Sequence, residues 1–203
     1  MKETAYTKTF ERYYHEQFWG NDDGCSGPNS AYDQTPILRE NLHGLIQQYQ
    51  IESIFDAGCG DANLFKHIPL GDIRYTGMDC VKEMIDNNNT YFAKDPNKSF
   101  VLGDVLCDAI TSCDLIICRD VVHYLPNDLI KVLLENICAS HSKYLLITHN
   151  THSKASANDV TEPGVFRPVN LNLAPFCWPD PLTTIKEDIF AKEMALFALN
   201  DVS

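Results

Sequence analysis

The chain of 203 residues has no apolar run long enough to span a bilayer and no apolar stretch near its N-terminus. Neither a membrane-spanning helix nor a secretory signal is therefore expected. Basic residues are scarce: 16 Lys and Arg stand against 28 Asp and Glu, a net charge of −12, and no basic run exceeds two residues. Nucleic acid and acidic membrane surfaces are bound through Lys and Arg, so neither is expected as a partner. No Cys-x-x-Cys pair occurs among Cys25, Cys59, Cys80, Cys107, Cys113, Cys118, Cys138 and Cys177. Most of these cysteines lie in apolar surroundings, which reads as free thiols in a reducing, cytoplasmic setting. Repeats are absent, and Asn87-Asn88-Asn89 is read as a helix end. What remains is an ordinary globular composition, 44% apolar, sufficient for one folded domain over 1–203.

The order of elements gives the fold class. An aromatic N-terminal segment, with Phe10, Tyr13, Tyr14, Phe18 and Trp19, reads as a short helix and then a loop. Helical spacing over 36–49 completes an N-terminal helical cap, 1–50. Strand-like runs at 51–57, 73–78, 99–102, 114–118 and 143–148 then alternate with helical runs at 62–68, 81–91 and 127–139. This alternation predicts an α/β fold, a Rossmann-like, mostly parallel sheet with helices on both faces. A Pro-rich, irregular segment at 149–181 reads as a packed lid over a substrate site. Two final strand-like runs, 182–185 and 194–199, have no room for a crossover helix. They are expected to pair as an antiparallel C-terminal hairpin, 182–203, making seven strands in all.

The chemistry centres on Asp56-Ala57-Gly58-Cys59-Gly60-Asp61-Ala62, between the first strand and the first core helix. Glycines there let the backbone turn tightly and approach a ligand, while the following helix offers free N–H groups. Two cofactor classes fit such a turn. A nicotinamide dinucleotide asks for a third glycine, and the chain has Asn63 instead. S-adenosylmethionine has no pyrophosphate, so that glycine is dispensable, and Asp56 supplies an acid two residues before Gly58. Asp79, ending the second strand, can accept from two ribose hydroxyls. Asp104, ending the third strand beside Val105, can accept from an adenine amine. Three acids at the C-terminal ends of successive strands sit where doubly wound sheets bind ligands. S-adenosylmethionine is the cofactor expected for this core, 51–148.

At these residues the chain resembles the class I S-adenosylmethionine-dependent methyltransferases. It is similar to a group of small bacterial and viral members with an Arg-Pro-x-Asn-Leu lid motif. Matching residues are Ser26-Gly27-Pro28-Asn29-Ser30, the glycine turn, Tyr75-Thr76-Gly77-Met78-Asp79, Asp114 to His123, 143–148, Asn158-Asp159-Val160, Phe166-Arg167-Pro168-Val169-Asn170-Leu171, Pro175-Phe176 and Pro179-x-Pro181. The chain departs from the group at Asn63-Leu64, where relatives carry an aromatic-Trp pair, which alters the pocket near the methionine end. The resemblance implies a cofactor site of Asp56, Gly58, Cys59, Gly60, Asp61, Asp79, Cys80, Asp104, Val105 and Arg119. Some relatives are fused to or encoded beside glycosyltransferases, which implies a glycan hydroxyl as acceptor and a glycosyltransferase in the same pathway or polypeptide.

An alcohol acceptor must lose a proton during methyl transfer. Asp120 and His123, three apart just past the fourth strand, are the candidate base and its partner. Asn158, Arg167 and Asn170 in the lid are candidate contacts to a polyol. His149 and His152, with Asp159 nearby, raise a metal possibility, but solvated loop histidines look the same and no metal is expected. The reading is an O-methyltransferase acting on a small polar acceptor, a sugar hydroxyl favoured. The alternatives are a small-molecule or peptide N- or O-methyltransferase and a cofactor-binding accessory subunit without catalysis.

Overall fold

The computed structural model describes residues 4–20, 26, 30–151, 163–187 and 192–202. Seven strands form one sheet: β1 (Ser53–Ala57), β2 (Arg74–Asp79), β3 (Lys98–Leu102), β4 (Leu115–Cys118), β5 (Tyr144–His149), β6 (Thr183–Glu187) and β7 (Lys192–Ala198). Their spatial order is β3-β2-β1-β4-β5-β7-β6. The first five are mutually parallel, and β7 runs antiparallel to both β5 and β6. This is the Rossmann-like α/β sheet with an antiparallel C-terminal hairpin that the sequence predicts.

Among the described residues five α-helices surround it: α1 (Ala5–His15), α2 (Pro36–Gln48), α3 (Asn63–Lys66), α4 (Lys82–Tyr91) and α5 (Asn127–Ala139). Strand side chains alternate between faces. Phe55, Ile116, Leu145, Ile147 and Phe197 pack with Ile130, Leu133, Leu134 and Ile137 of α5 and Tyr6 of α1. Their neighbours Ile54, Leu115, Ile117, Leu146 and Leu196 pack with Leu38, Leu42, Leu45 and Ile46 of α2 and Phe65 of α3. The strands β1, β4, β5 and β7 are thus apolar on both faces, as a sheet sandwiched by helices requires.

Two elements differ from expectation. The helix expected over 62–68 is only Asn63–Lys66. Its N-cap residue Ala62 is left-handed at φ 51°, with no side-chain cap, and Pro69 disfavours helical backbone just before it. The hairpin is longer than expected: the ladder continues through Lys186↔Glu193 and Glu187↔Lys192. Those charges look like a connecting loop in sequence, yet Glu187 and Lys192 are buried inside the fold. The segment 163–181 is irregular but anchored, because Val169 and Leu171 are fully buried in the core. Val165, Phe166 and Leu173 of the same segment are exposed.

Strand order reverses between β1 and β4. A crevice opens at the C-terminal ends of strands flanking such a point, and the glycine turn after β1 and Arg119-Asp120 after β4 both emerge there.

Candidate active site

After β1 the chain turns sharply. The Gly58 and Cys59 N–H groups both donate to the Met78 carbonyl, at 2.9 and 3.0 Å. Gly58 and Gly60 have φ of 81° and 54°. A Cβ on Gly58 would lie 2.4 Å from Val121 Cγ2, and one on Gly60 would lie 2.1 Å from Ser26 Oγ. Neither position tolerates a side chain. The Gly60 N–H donates to Asp79 Oδ2 at 2.9 Å, and Asn88 of α4 donates to the Gly60 carbonyl at 2.8 Å. Ser26 Oγ donates to Asp61 Oδ1 and accepts the Asp61 N–H, at 2.8 and 2.9 Å.

The turn forms one wall of a cavity. Asp56, Gly58, Cys59, Gly60, Asp61, Asp79, Cys80, Val105, Arg119 and Asp120 all line it, with Tyr6, Phe10, Trp19, Met84, Val121 and Tyr124. Asp56 accepts from the Tyr75 hydroxyl at 2.6 Å. Burial, opposed by that hydrogen bond, raises its pKa to about 7. Asp79 is fixed by two backbone donors, Gly60 and Val81, one on each oxygen. Burial raises its pKa as well. A carboxylate has about four acceptor sites, and the Cys80 N–H faces this one as well, so it keeps room to accept from a hydroxyl group. Buried Cys59 and half-buried Cys80 have thiols pushed up, first by desolvation and then by the Asp79 charge, so neither is a thiolate nucleophile.

Beyond β4 the wall is made of charge. Asp120 has φ 59° and donates its N–H to Thr148 Oγ1 at 2.7 Å. Its oxygens lie 2.9 and 2.8 Å from Lys192 Nζ, and Oδ2 lies 3.2 Å from Arg119 Nη1. Burial pulls its pKa up, but Arg119 and Lys192 outweigh burial and hold it below the usual carboxylate range. Tyr124, pushed up to about 12 by burial, stays a phenol.

Comparison with known proteins gives this cavity its context. Residues 55–140 match the family model described as a methyltransferase domain. Over that span the chain is similar to a methyltransferase domain. It is an enzyme and its cofactor is S-adenosylmethionine, which the residues present fit: a turn stripped of side chains beside a pinned carboxylate with acceptor capacity to spare. Similar folds include a magnesium protoporphyrin IX methyltransferase from Synechocystis, solved with bound S-adenosylmethionine. It is 11% identical with a TM-score of 0.64, over 97% of this chain and 98% of that one. Phosphoethanolamine N-methyltransferase 1 of Haemonchus contortus is 17% identical with a TM-score of 0.58, over 82% of this chain and 39% of its own. The N-methyltransferase NodS of Bradyrhizobium japonicum is 17% identical with a TM-score of 0.52, over 72% of this chain and 74% of its own. No curated protein sequence matches the chain.

Several residues singled out in the sequence stand back from the cavity of the methyltransferase. Asp104 accepts from the Tyr6 hydroxyl and, at 2.8 Å, from the Leu106 N–H. Tyr6 lines the cavity and Asp104 does not. His123 is fully buried, with Nε2 2.7 Å from Asn150 Oδ1. That oxygen also accepts the Val169 N–H, so Nε2 carries the hydrogen and Nδ1 is a lone pair. Nδ1 is 3.8 Å from Asp120 Oδ1. Burial, against the pull of Asp120, lowers the His123 pKa to about 4, so the ring is neutral. Arg167 is buried and donates to the Leu125 carbonyl and Asn127 Oδ1, at 3.0 and 2.6 Å. Asn170 donates to the Thr151 carbonyl at 3.2 Å. Both tie their segment down rather than face the cavity. Asn158, His152 and Asp159 lie outside the described residues. Among the described residues no group of three His, Cys, Asp or Glu could hold a metal ion, and no helix is long and apolar enough to cross a membrane.

Sequence reasoning missed Asn88, Tyr6, Glu187 and Lys192. For Tyr6 the signal was present in the aromatic N-terminal segment. Rings there stack on one another, Tyr13 on Phe18 at 4.3 Å between centroids, and Trp19 meets Tyr124 at 5.7 Å.

Proposed function

We propose that this enzyme methylates a hydroxyl group of a small polar acceptor, with a sugar hydroxyl favoured. The observation that carries the reading is Asp120, an acceptor-only carboxylate in a cavity also lined by Tyr6, Phe10, Trp19 and Tyr124. Apolar faces of a sugar stack on such rings, while its hydroxyls need a hydrogen-bond acceptor. When bound, S-adenosylmethionine supplies a methyl group on an activated sulfonium. Asp120 orients the hydroxyl and takes its proton, which becomes strongly acidic only as the new bond to carbon forms. A carboxylate of low pKa therefore suffices, and neutral His123 serves by packing behind it. Among the described residues Arg119, already paired with Glu187 and Asp120, is the one cation lining the cavity. The resemblance of the lid sequence supports a glycosyltransferase as a partner in the same pathway or polypeptide.

An amine acceptor is the second reading. The net charge of −12 attracts a cationic substrate, and two proteins of similar fold are N-methyltransferases.

Incubation with isotopically labelled S-adenosylmethionine and a panel of glycosides, amines, amino acids and nucleosides, read by mass spectrometry, separates the two. O-methylated glycosides are expected, and Asp120→Asn should slow their formation by about a hundredfold. Methylated amines alone would overturn the hydroxyl reading.

A further inference from the structure

We infer that Glu187 and Lys192, carried by the terminal hairpin, are positioning residues that aim Asp120 and Arg119 into the cavity. Four charges close on one another. Lys192 Nζ contacts both Asp120 oxygens and lies 3.1 Å from Glu187 Oε2. Glu187 receives Arg119 in a fork, Nη2 to Oε2 at 2.7 Å and Nε to Oε1 at 3.3 Å. Arg119 Nη1 returns to Asp120 Oδ2 at 3.2 Å. The set is neutral, two cations and two anions.

Burial divides it into an inner and an outer pair. Glu187 and Lys192 side chains are each 2% exposed, against 10% for Arg119 and 20% for Asp120. The outer pair lines the cavity and the inner pair does not. Glu187 ends β6 and Lys192 begins β7, paired in register. From there Lys192 reaches past the end of β5 to a residue 72 positions earlier.

Stability is a poor reason to keep such a cluster, since apolar side chains of similar volume often replace buried ion pairs without loss. Geometry is a better one. Asp120 sits in left-handed backbone, which an L-residue adopts only when its surroundings over-determine it. Thr148 fixes its N–H and Lys192 fixes both of its oxygens. The charged and titratable groups around Asp120 are Arg119, His123 and Tyr124 on its own segment, Cys118 on β4, Glu187 on β6 and Lys192 on β7. Of these, Arg119 and Lys192 hold the carboxyl in its ionised form against the effect of burial.

The test is a carbon-13 NMR titration of the Asp120 carboxyl in the full chain, with Asp120→Asn giving the assignment. Lys192→Met should move its midpoint upward by about one pH unit or more, and Lys192→Arg should restore it. Glu187→Gln should leave the Arg119 Nε–H exchanging about tenfold faster or more. With a glycoside as acceptor, the acid limb of the methylation rate should shift with the Asp120 midpoint while KM changes little. Should Lys192→Met not fold, Lys192→Arg and Glu187→Gln carry the test. Unaltered Asp120 titration and Arg119 exchange in folded variants would overturn the inference, and so would failure of Lys192→Arg to restore the midpoint. The kinetic arm rests on the proposed acceptor. If no glycoside is methylated but the NMR changes occur, the acceptor reading fails and the inference stands.

Discussion

Around the glycine turn the cavity wall is backbone and bare Cα, whereas at Asp120 it is a closed set of buried charges. The first side is local: Asp56 to Asp61 and Asp79 lie within two adjacent strands, bound by N–H groups to the Met78 carbonyl and Asp79. The second is gathered from β4, β5, β6 and β7. A surface assembled from backbone is fixed once the sheet forms. One assembled from side chains keeps its shape only while every partner is in place.

The sharpest way to break this contrast is Glu187→Ala. It leaves the two buried cations Arg119 and Lys192 with Asp120 as their one remaining anion and should cost about 3–5 kcal/mol, read as a fall in the urea midpoint. A change no larger than that of a surface substitution would make the charged side as tolerant as the backbone side.

Acid and base act on the two sides in opposite senses. Asp56 has its folded pKa raised from 3.8 to about 7. Its contribution to stability is full below the unfolded value and is lost as pH rises through 7. His123 has its folded pKa lowered from 6.5 to about 4. Its contribution is full above pH 6.5 and is lost as pH falls toward 4. Between roughly pH 4 and 6.5 the two slopes oppose each other. Relative to the parent protein, Asp56→Asn should therefore shift the slope of stability against pH upward, and His123→Gln should shift it downward, in urea melts across that window, Asp79 and Asp104 contributing alike to all three.

Gly60→Ala probes the backbone side directly. Left-handed backbone costs an L-residue about 1–2 kcal/mol, and its Cβ would crowd Ser26 Oγ at 2.1 Å. S-adenosylhomocysteine should bind about tenfold more weakly or worse by calorimetry. Equal affinity would show that the turn relaxes freely. The smallest effect is expected for Tyr6→Phe, which removes one donor from Asp104. It should lower stability by about 1 kcal/mol in the same urea melts, and no loss would mean that Asp104 re-pairs with little cost.

Sequence alone revealed the local side and half of the other. The alternation of strands and helices is a periodic signal, and Gly58-Cys59-Gly60 with Asp56 and Asp79 is a motif, so both survive reading along the chain. Asp120 was visible because it follows a strand. Its partners were not, because Lys186-Glu187-Asp188 carries the composition of a loop and only the β6–β7 register makes Glu187 and Lys192 interior. Asn88 was hidden in a run of asparagines, although its amide holds the Gly60 carbonyl 28 residues away. Asp104 sits at a strand end as the motif suggests, but the Tyr6 hydroxyl from α1 takes it up, a contact spanning 98 residues that no local spacing encodes.

The position of β7 has a further consequence for how the enzyme comes into being. It is the last strand along the chain, yet it lies inside the sheet, between β5 and β6. Synthesis proceeds from the N-terminus, and early segments begin to fold before later ones are made. A nascent chain that has not reached Lys192 already contains the whole glycine turn and Asp79, but its Asp120 has no ammonium partner. The emerging polypeptide thus encodes the glycine turn before the closed set of charges, and the insertion of one late strand brings Asp120 the ammonium it lacks.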